Sequence, residues 1–346
     1  MWKNWVVVLV AFVEAMSLPA DANVFSMGGG LTSLEFVTVG DPGNVADTRV
    51  MDDGTTGYGT VNYTYKIGKF EVTAGQYTAF LNAVAKTDTY ALYDTSLDQA
   101  YSFSCCNIER TGALGSYTYS VASEWANRPV NCVSWGDAAR FANWLHNGQP
   151  SGPQNLSTTE DGAYYLDGAT SNAALLAVTR KGNWKWAITS EDEWYKAAYY
   201  DPGKPGGAGY WDYPTRSNTA PGQDMTDTSG NNANYYTAPY AYPIDSGKYT
   251  TLAGEFQNSD SPYGTFDQGG NVYEWNEASL YNSVRGLRGG SWNAGGDYLH
   301  AADRFSIGYL PSDKRIAVGF RVSQVPEPAS IAVLALGGLA ILRRRR

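Results

Sequence analysis

Histidine and cysteine are almost absent: the 346 residues hold two histidines, His146 and His300, and three cysteines, Cys105, Cys106 and Cys132. No C-x-x-C pair occurs and the histidines are far apart, so no zinc- or cluster-binding spacing is present. Charge is also sparse, at 17% of residues, with 34 acidic against 25 basic side chains and a formal net charge of −9. The part between the two ends is more acidic still. Residues 1–22 carry Lys3 against Glu14 and Asp21, whereas residues 326–346 carry Glu327 against four arginines. A surface this acidic is repelled by nucleic acid and by anionic membrane, which excludes both as partners. No serine lies in a G-x-S-x-G context, and no phosphate-cradling glycine loop stands between a strand and a helix. What is abundant is aromatic and glycine content, with 26 Tyr, 11 Trp and 38 Gly. That composition suits a loop-rich extracellular fold whose surface presents stacking rings.

Both ends carry addresses. Lys3, the apolar stretch from Trp5 to Phe12, and the small residues of Ala20-Asp21-Ala22 follow the order of a secretory signal peptide over 1–22. A flexible mature N-terminus is expected over 23–33. At the other end, Val325-Pro326-Glu327-Pro328 precedes an apolar run from Ala329 to Leu342 and then Arg343 to Arg346. Paired prolines stop any regular element. The run spans about two-thirds of the ~20 residues of a comfortable membrane helix, and the arginines hold their end on the cytoplasmic side. This tail, 324–346, resembles the PEP-CTERM sorting signal of Gram-negative bacteria. The resemblance implies an exosortase-type processing partner acting at Pro326, Glu327 and Pro328. It also implies a transient membrane anchor, and delivery to a surface rich in extracellular polysaccharide. In such an oxidising compartment one disulfide and one free thiol are expected, with Cys132 bridging one of the vicinal pair Cys105 and Cys106.

Three strand-then-capped-helix units occupy the first two-thirds. Residues 61–72 alternate apolar and polar, and Thr73-x-x-Gln76 then opens a helix with Ala74, Tyr77, Leu81 and Val84 on one face. Val130 to Val133 reads as a short strand before Ser134-x-x-Asp137 and a helix carrying Ala138, Phe141, Ala142 and Leu145, with His146 at its cation-favouring end. Trp186 to Ile188 precedes Ser190-x-x-Glu193 and a helix that Asp201-Pro202-Gly203 ends. Beyond residue 203, turn-forming residues dominate to about 265, and short strands are expected again at 285–292 and 317–323. The class is α+β within one domain, 34–323.

Blocks 66–81, 128–145, 187–200, 263–275 (YGTFDQGGNVYEW), 287–292 (LRGGSW) and 318–322 (VGFRV) together resemble the formylglycine-generating, sulfatase-modifying-factor family. The fold implied is that family's loop-rich variant of the C-type-lectin-like fold, low in regular structure. Members that make formylglycine use two copper-binding cysteines just after G-G-S-[WY]. Here Gly289 to Arg304 contains no cysteine, and copper(I) needs soft thiolates, so copper is not expected. Nor is histidine-bound iron, with two histidines in all. The alternative left open is a metal-dependent oxidoreductase of the formylglycine-generating or nonheme-iron branch, with a divergent site at His300, Asp297 and Asp303.

Structural calcium is the expected cofactor. The resemblance assigns it to Asn271 and Glu274 with carbonyls near Gly270 and Val272, and to a second site at Asn234 and the Tyr235 carbonyl, whose later carboxylate does not align and for which Asp245 is the candidate; oxygen-only sets suit a hard cation. Trp292, Asn293, Tyr298 and Arg304 gather where the family binds its substrate peptide, and aromatic faces with Asn and Arg also suit sugars. The expectation is an exported, non-catalytic binding module for glycan or for a surface protein. For the tail, intact mass of the mature protein is the test: loss of residues after the Pro-Glu-Pro is expected, and a chain still ending in Arg346 would make it a plain anchor.

Overall fold

Each of the three sequence-read capping boxes closes in both directions. The Thr73 side chain accepts from the Gln76 amide, and Gln76 returns the bond to the Thr73 amide; Ser134 with Asp137 and Ser190 with Glu193 do the same. The structure, a computed structural model, describes residues 33–98, 105–237, 245, 247–304 and 309–325. The signal peptide, most of 23–33 and the tail beyond Val325, with Pro326, Glu327 and Pro328, lie outside the described residues. Among those described, no helix is long and apolar enough to cross a membrane.

The helices are α1 (Ala74–Val84), α2 (Ser123–Ala126), α3 (Trp135–His146), α4 (Asn172–Ala177) and α5 (Glu191–Tyr199). The strands run β1 (Phe36–Val39), β2 (Tyr65–Gly68), β3 (Ile108–Thr111), β4 (Thr118–Val121), β5 (Trp186–Ile188), β6 (Tyr200–Asp201), β7 (Gly209–Tyr210), β8 (Tyr273–Leu280), β9 (Val284–Arg288), β10 (Val318–Gly319) and β11 (Val322–Gln324). One antiparallel sheet has the order β1-β2-β11-β5, so the first and last described strands both flank β2. A second sheet, β10-β8-β9, carries the 289–304 block at its end.

The expectations meet three corrections here. Val130 to Val133 forms no regular strand, because Cys132 takes a positive φ of 58° and the segment is held instead by single bonds such as Val130 N to Val72 O, 2.8 Å. Residues 317–323 split between two sheets. Gly319 permits this: a side chain there would meet the Val130 carbonyl. The aromatic residues, expected on the surface, mostly build the core. Trp125, Trp135, Trp194 and Trp275 are fully buried, and Phe80, Phe141 and Phe320 meet edge to face at 5.3 and 5.4 Å. Cys105 bridges Cys132, while Cys106 is a buried free thiol pushed up to about 12 by burial.

Charged groups are buried with the rings. Glu274 on β8 and Arg321 between β10 and β11 pair bidentately at 2.6 Å, neither reached by solvent. Breaking such a pair from one side strands a charge and costs about 3–5 kcal/mol. Glu274→Gln is therefore expected to destabilise by that amount in denaturant unfolding. An apolar replacement of both partners at once is expected to cost less, since no lone charge remains.

Candidate ligand-binding face

The 289–304 block leaves β9 through Gly289 and Gly290, at φ 101° and 71°, and a side chain on Gly290 would press into the Tyr298 backbone. These glycines fold the block back so that Ser291 to Ala294 and Gly296 to Leu299 lie close together. Asn293 is exposed and its Oδ1 accepts from Ser291 Oγ at 2.7 Å. Tyr298 is 42% exposed and stands edge-on to the buried Tyr273, centroids 6.4 Å apart. Arg315, exposed and paired through Nη2 with Asp313 at 3.1 Å, lies over the Tyr309 ring at 4.9 Å, and Ile316 beside it is 39% exposed. The Ile316 carbonyl accepts from Trp292 Nε1 at 3.4 Å, which ties this strip to the block. Tyr309, Arg315 and Ile316 are contributions that sequence reasoning missed, for they lie outside any block pattern.

Two of the four expected binding residues have other work. Trp292 is 3% exposed and packed on Tyr249 at 4.6 Å, so its ring is not a platform for a ligand. Arg304 is held by both oxygens of Glu191, each at 2.9 Å, and by Asp53 at 2.6 Å. Glu191 also takes Arg288 at 2.8 Å, and this network locks the far end of the block against α5.

The alternative metal site does not assemble. The His300 ring accepts from the Ala302 amide through Nδ1 at 3.0 Å and meets Tyr213 edge-on at 5.3 Å. Burial, then the Arg49 charge, lowers its proton affinity. The Asp303 amide donates to the His300 carbonyl at 2.9 Å and the His300 amide to the Asp297 carbonyl at 3.2 Å, so backbone bonds link the three, and the exposed Asp297 lies in the first turn of the 3-10 helix Gly296–Leu299. Among the described residues no three of His, Cys, Asp and Glu are placed to hold a metal ion. His146 corrects a further expectation: it accepts from the Lys185 amide through Nδ1 at 3.1 Å, and burial with the nearby lysines disfavours the cation that the helix end would attract.

Of the calcium residues, Asn234, Gly270 and Asn271 are brought together, and the carboxylates meet guanidinium groups. Asn234 and Gly270 bridge in parallel, and a side chain at Gly270 would strike the Asn234 carbonyl. Asn271 Oδ1 accepts from the Thr251 amide at 2.9 Å and from Asn234 Nδ2 at 3.1 Å. Val272 is buried. Both oxygens of Glu274 are on Arg321, and Trp194 Nε1 adds a third bond at 2.8 Å. Asp245 pairs with Arg128 at 2.7 Å and Lys248 at 3.7 Å, and the Tyr235 carbonyl accepts from Gln223. Of the side-chain oxygens in this set, Asn234 Oδ1 is the buried one without a partner among the described residues. Calcium wants six to eight oxygens; in the described structure the Asn271, Glu274 and Asp245 side chains face protein donors instead.

The described fold is the loop-rich, C-type-lectin-like arrangement of helices and short sheets. Residues 36–325 match the sulfatase-modifying factor enzyme 1-like domain, and the chain belongs to that family. Residues 324–346 match the PEP-CTERM protein-sorting motif, which marks the protein for export, surface association and exosortase-type processing. Among solved structures, CarF superposes with a TM-score of 0.51 at 19% identity, over 85% of this chain and 99% of its own. Treponema denticola variable protein 1 gives 0.49 at 18%, over 85% and 96%. PvdO from Pseudomonas aeruginosa gives 0.48 at 19%, over 85% and 95%. No curated protein matches the chain.

Asp303 supplies the pH test. Burial, reinforced by Asp52 and opposed by Arg288, pushes its carboxyl up to about 7. A raised folded value means the folded state holds the proton more tightly, so stability is present at low pH and falls as pH rises from about 4 towards 7. Asp303→Asn removes that loss. The variant is expected to melt higher than the parent at pH 8 and with it at pH 4; equal melting at both would show an ordinary, solvated carboxyl.

Proposed function

We propose that this protein is a binding module working at the cell surface or in the extracellular polysaccharide matrix, with glycan as its ligand class. The observation that carries this reading is that one short block exposes both a ring, Tyr298, and an amide, Asn293, on the block where copper-using relatives place their cysteines. A sugar presents one apolar ring face and a rim of hydroxyls. Tyr298 suits the first, and Asn293 with Arg315 suits the second. Support also comes from what the block lacks: positions 289–304 hold no thiol, and their arginine is committed to Glu191 and Asp53. The sorting motif adds the setting, a surface reached by exported proteins. Protein surfaces, the other ligand expected from the sequence, would use the same exposed strip through Ile316 and Tyr309.

Removing the stacking ring decides it. Tyr298→Ala is expected to weaken retention on the producing cell's own matrix polysaccharide about tenfold, with Asn293→Ala weakening it less and Trp292 left in place. An absence of binding to any glycan tried, the host polymer included, would overturn the reading.

A further inference from the structure

A cavity of about 160 Å³ lies between the start of α3, the segment after α4 and the β8–β9 ribbon, with Thr179, Arg180, Glu277 and Arg285 in its lining. An irregularity in β8 puts a carboxyl there. Trp275 pairs with Leu287 and Ser279 with Arg285, so residues 276–278 bulge out of the ladder, and bulges re-aim side chains. The Glu277 amide donates to the Thr189 carbonyl at 3.2 Å, and the Glu277 carbonyl accepts from Arg285 Nη1 at 2.7 Å. The carboxyl is then held through one oxygen. Oε1 accepts from the buried Tyr164 hydroxyl and from Arg180 Nε at 2.7 Å. Arg180 is itself fixed by both oxygens of Glu193, at 2.7 and 3.0 Å, and lies over the Trp184 ring at 4.1 Å. Oε2 of Glu277 has no partner among the described residues, and it is not sealed from solvent, since 18% of the side chain is exposed. Burial of the rest of the group raises its proton affinity against the pull of Arg180. An acceptor short of hydration gains from a donor brought to it.

Charge around the cavity selects the donor. Arg285 stacks over the Trp135 ring at 3.9 Å, and its Nη2 donates to the Leu175 and Val178 carbonyls, each at 2.7 Å, with no carboxylate on it among the described residues. Arg180 and Arg285 therefore balance Glu193 and Glu277. A cation moving towards Oε2 meets two guanidinium groups, and an anion meets the carboxylate itself. We propose that this cavity binds one small neutral polyol, a hydroxyl of which donates to Glu277 Oε2. Thr179 is exposed and its hydroxyl bonds to no described residue, so it offers the second contact that a vicinal diol can use. A volume below the roughly 300–1,000 Å³ of sites for drug-sized ligands admits a free small molecule, not the interior of a polymer. The inference is independent of the face formed by Asn293 and Tyr298.

Saturation-transfer NMR titration of the purified exported protein with D-glucose tests it, with glucosamine and glucuronate as the cationic and anionic counterparts. Glucose is expected to bind, and both charged sugars to bind more weakly. In Glu277→Gln, Tyr164 and Arg180 hold the amide oxygen, so an NH2 replaces the free acceptor and affinity for glucose is expected to fall about tenfold. Thr179→Trp, a change at an exposed position, is expected to abolish binding by filling the mouth, and Tyr298→Ala to leave it unchanged. Melting curves check the folding of each variant. The proposal fails if glucose does not bind, or if either charged sugar binds more tightly. It also fails if folded Glu277→Gln or Thr179→Trp binds glucose as the parent does, or if Tyr298→Ala abolishes the signal.

Discussion

A bidentate ion pair shut off from water, Glu274 with Arg321, is the point at which the separate parts of this domain are fastened. Arg321 also donates to the carbonyls of Gly68, at the end of β2, and Phe266, in the loop before β8. Glu274 takes the indole N–H of Trp194 from α5. One pair therefore joins the sheet built on β8 to the sheet built on β2 and to a helix. In a low-dielectric interior such a pair is weak as a source of stability but severe when broken. The arrangement thus specifies which strands meet rather than simply adding attraction.

The same principle extends into the long loops beyond residue 203, where the hydrophobic core thins out. Arg128 spans from α2's end to Asp245 and to the Thr250 carbonyl, Arg216 reaches Asp260, and Asn234 meets Asn271. These bonds hold backbone that has little regular structure of its own, as ordered long loops require. The consequence for the proposed binding face is geometric. Arg304, Arg288 and Glu191 anchor one end of the 289–304 block, Trp292 anchors the other against Tyr249, and the stretch between is left to present Asn293 and Tyr298.

How far the sequence could be read follows from the range of each interaction. The capping boxes are local, three residues from start to finish, and Thr73, Ser134 and Ser190 each behave as read. Family blocks in the right order carry the fold. The roles of Glu274, Asp245 and Arg304 were not legible, because each depends on a partner far along the chain: Arg321 at 47 positions, Arg128 at 117 and Glu191 at 113. A carboxylate in a glycine-rich loop looks the same whether a cation or a guanidinium meets it. Trp292 likewise reads as a binding ring until Tyr249 is seen against it.

The central proposal is that the cysteine-free block 289–304 is a binding surface. Hydrogen–deuterium exchange of the purified protein, with and without the producing cell's matrix polysaccharide, addresses it directly. The account expects slowed exchange confined to the amides around Asn293 to Tyr298 and Tyr309 to Ile316. Protection elsewhere with these segments unchanged would contradict it.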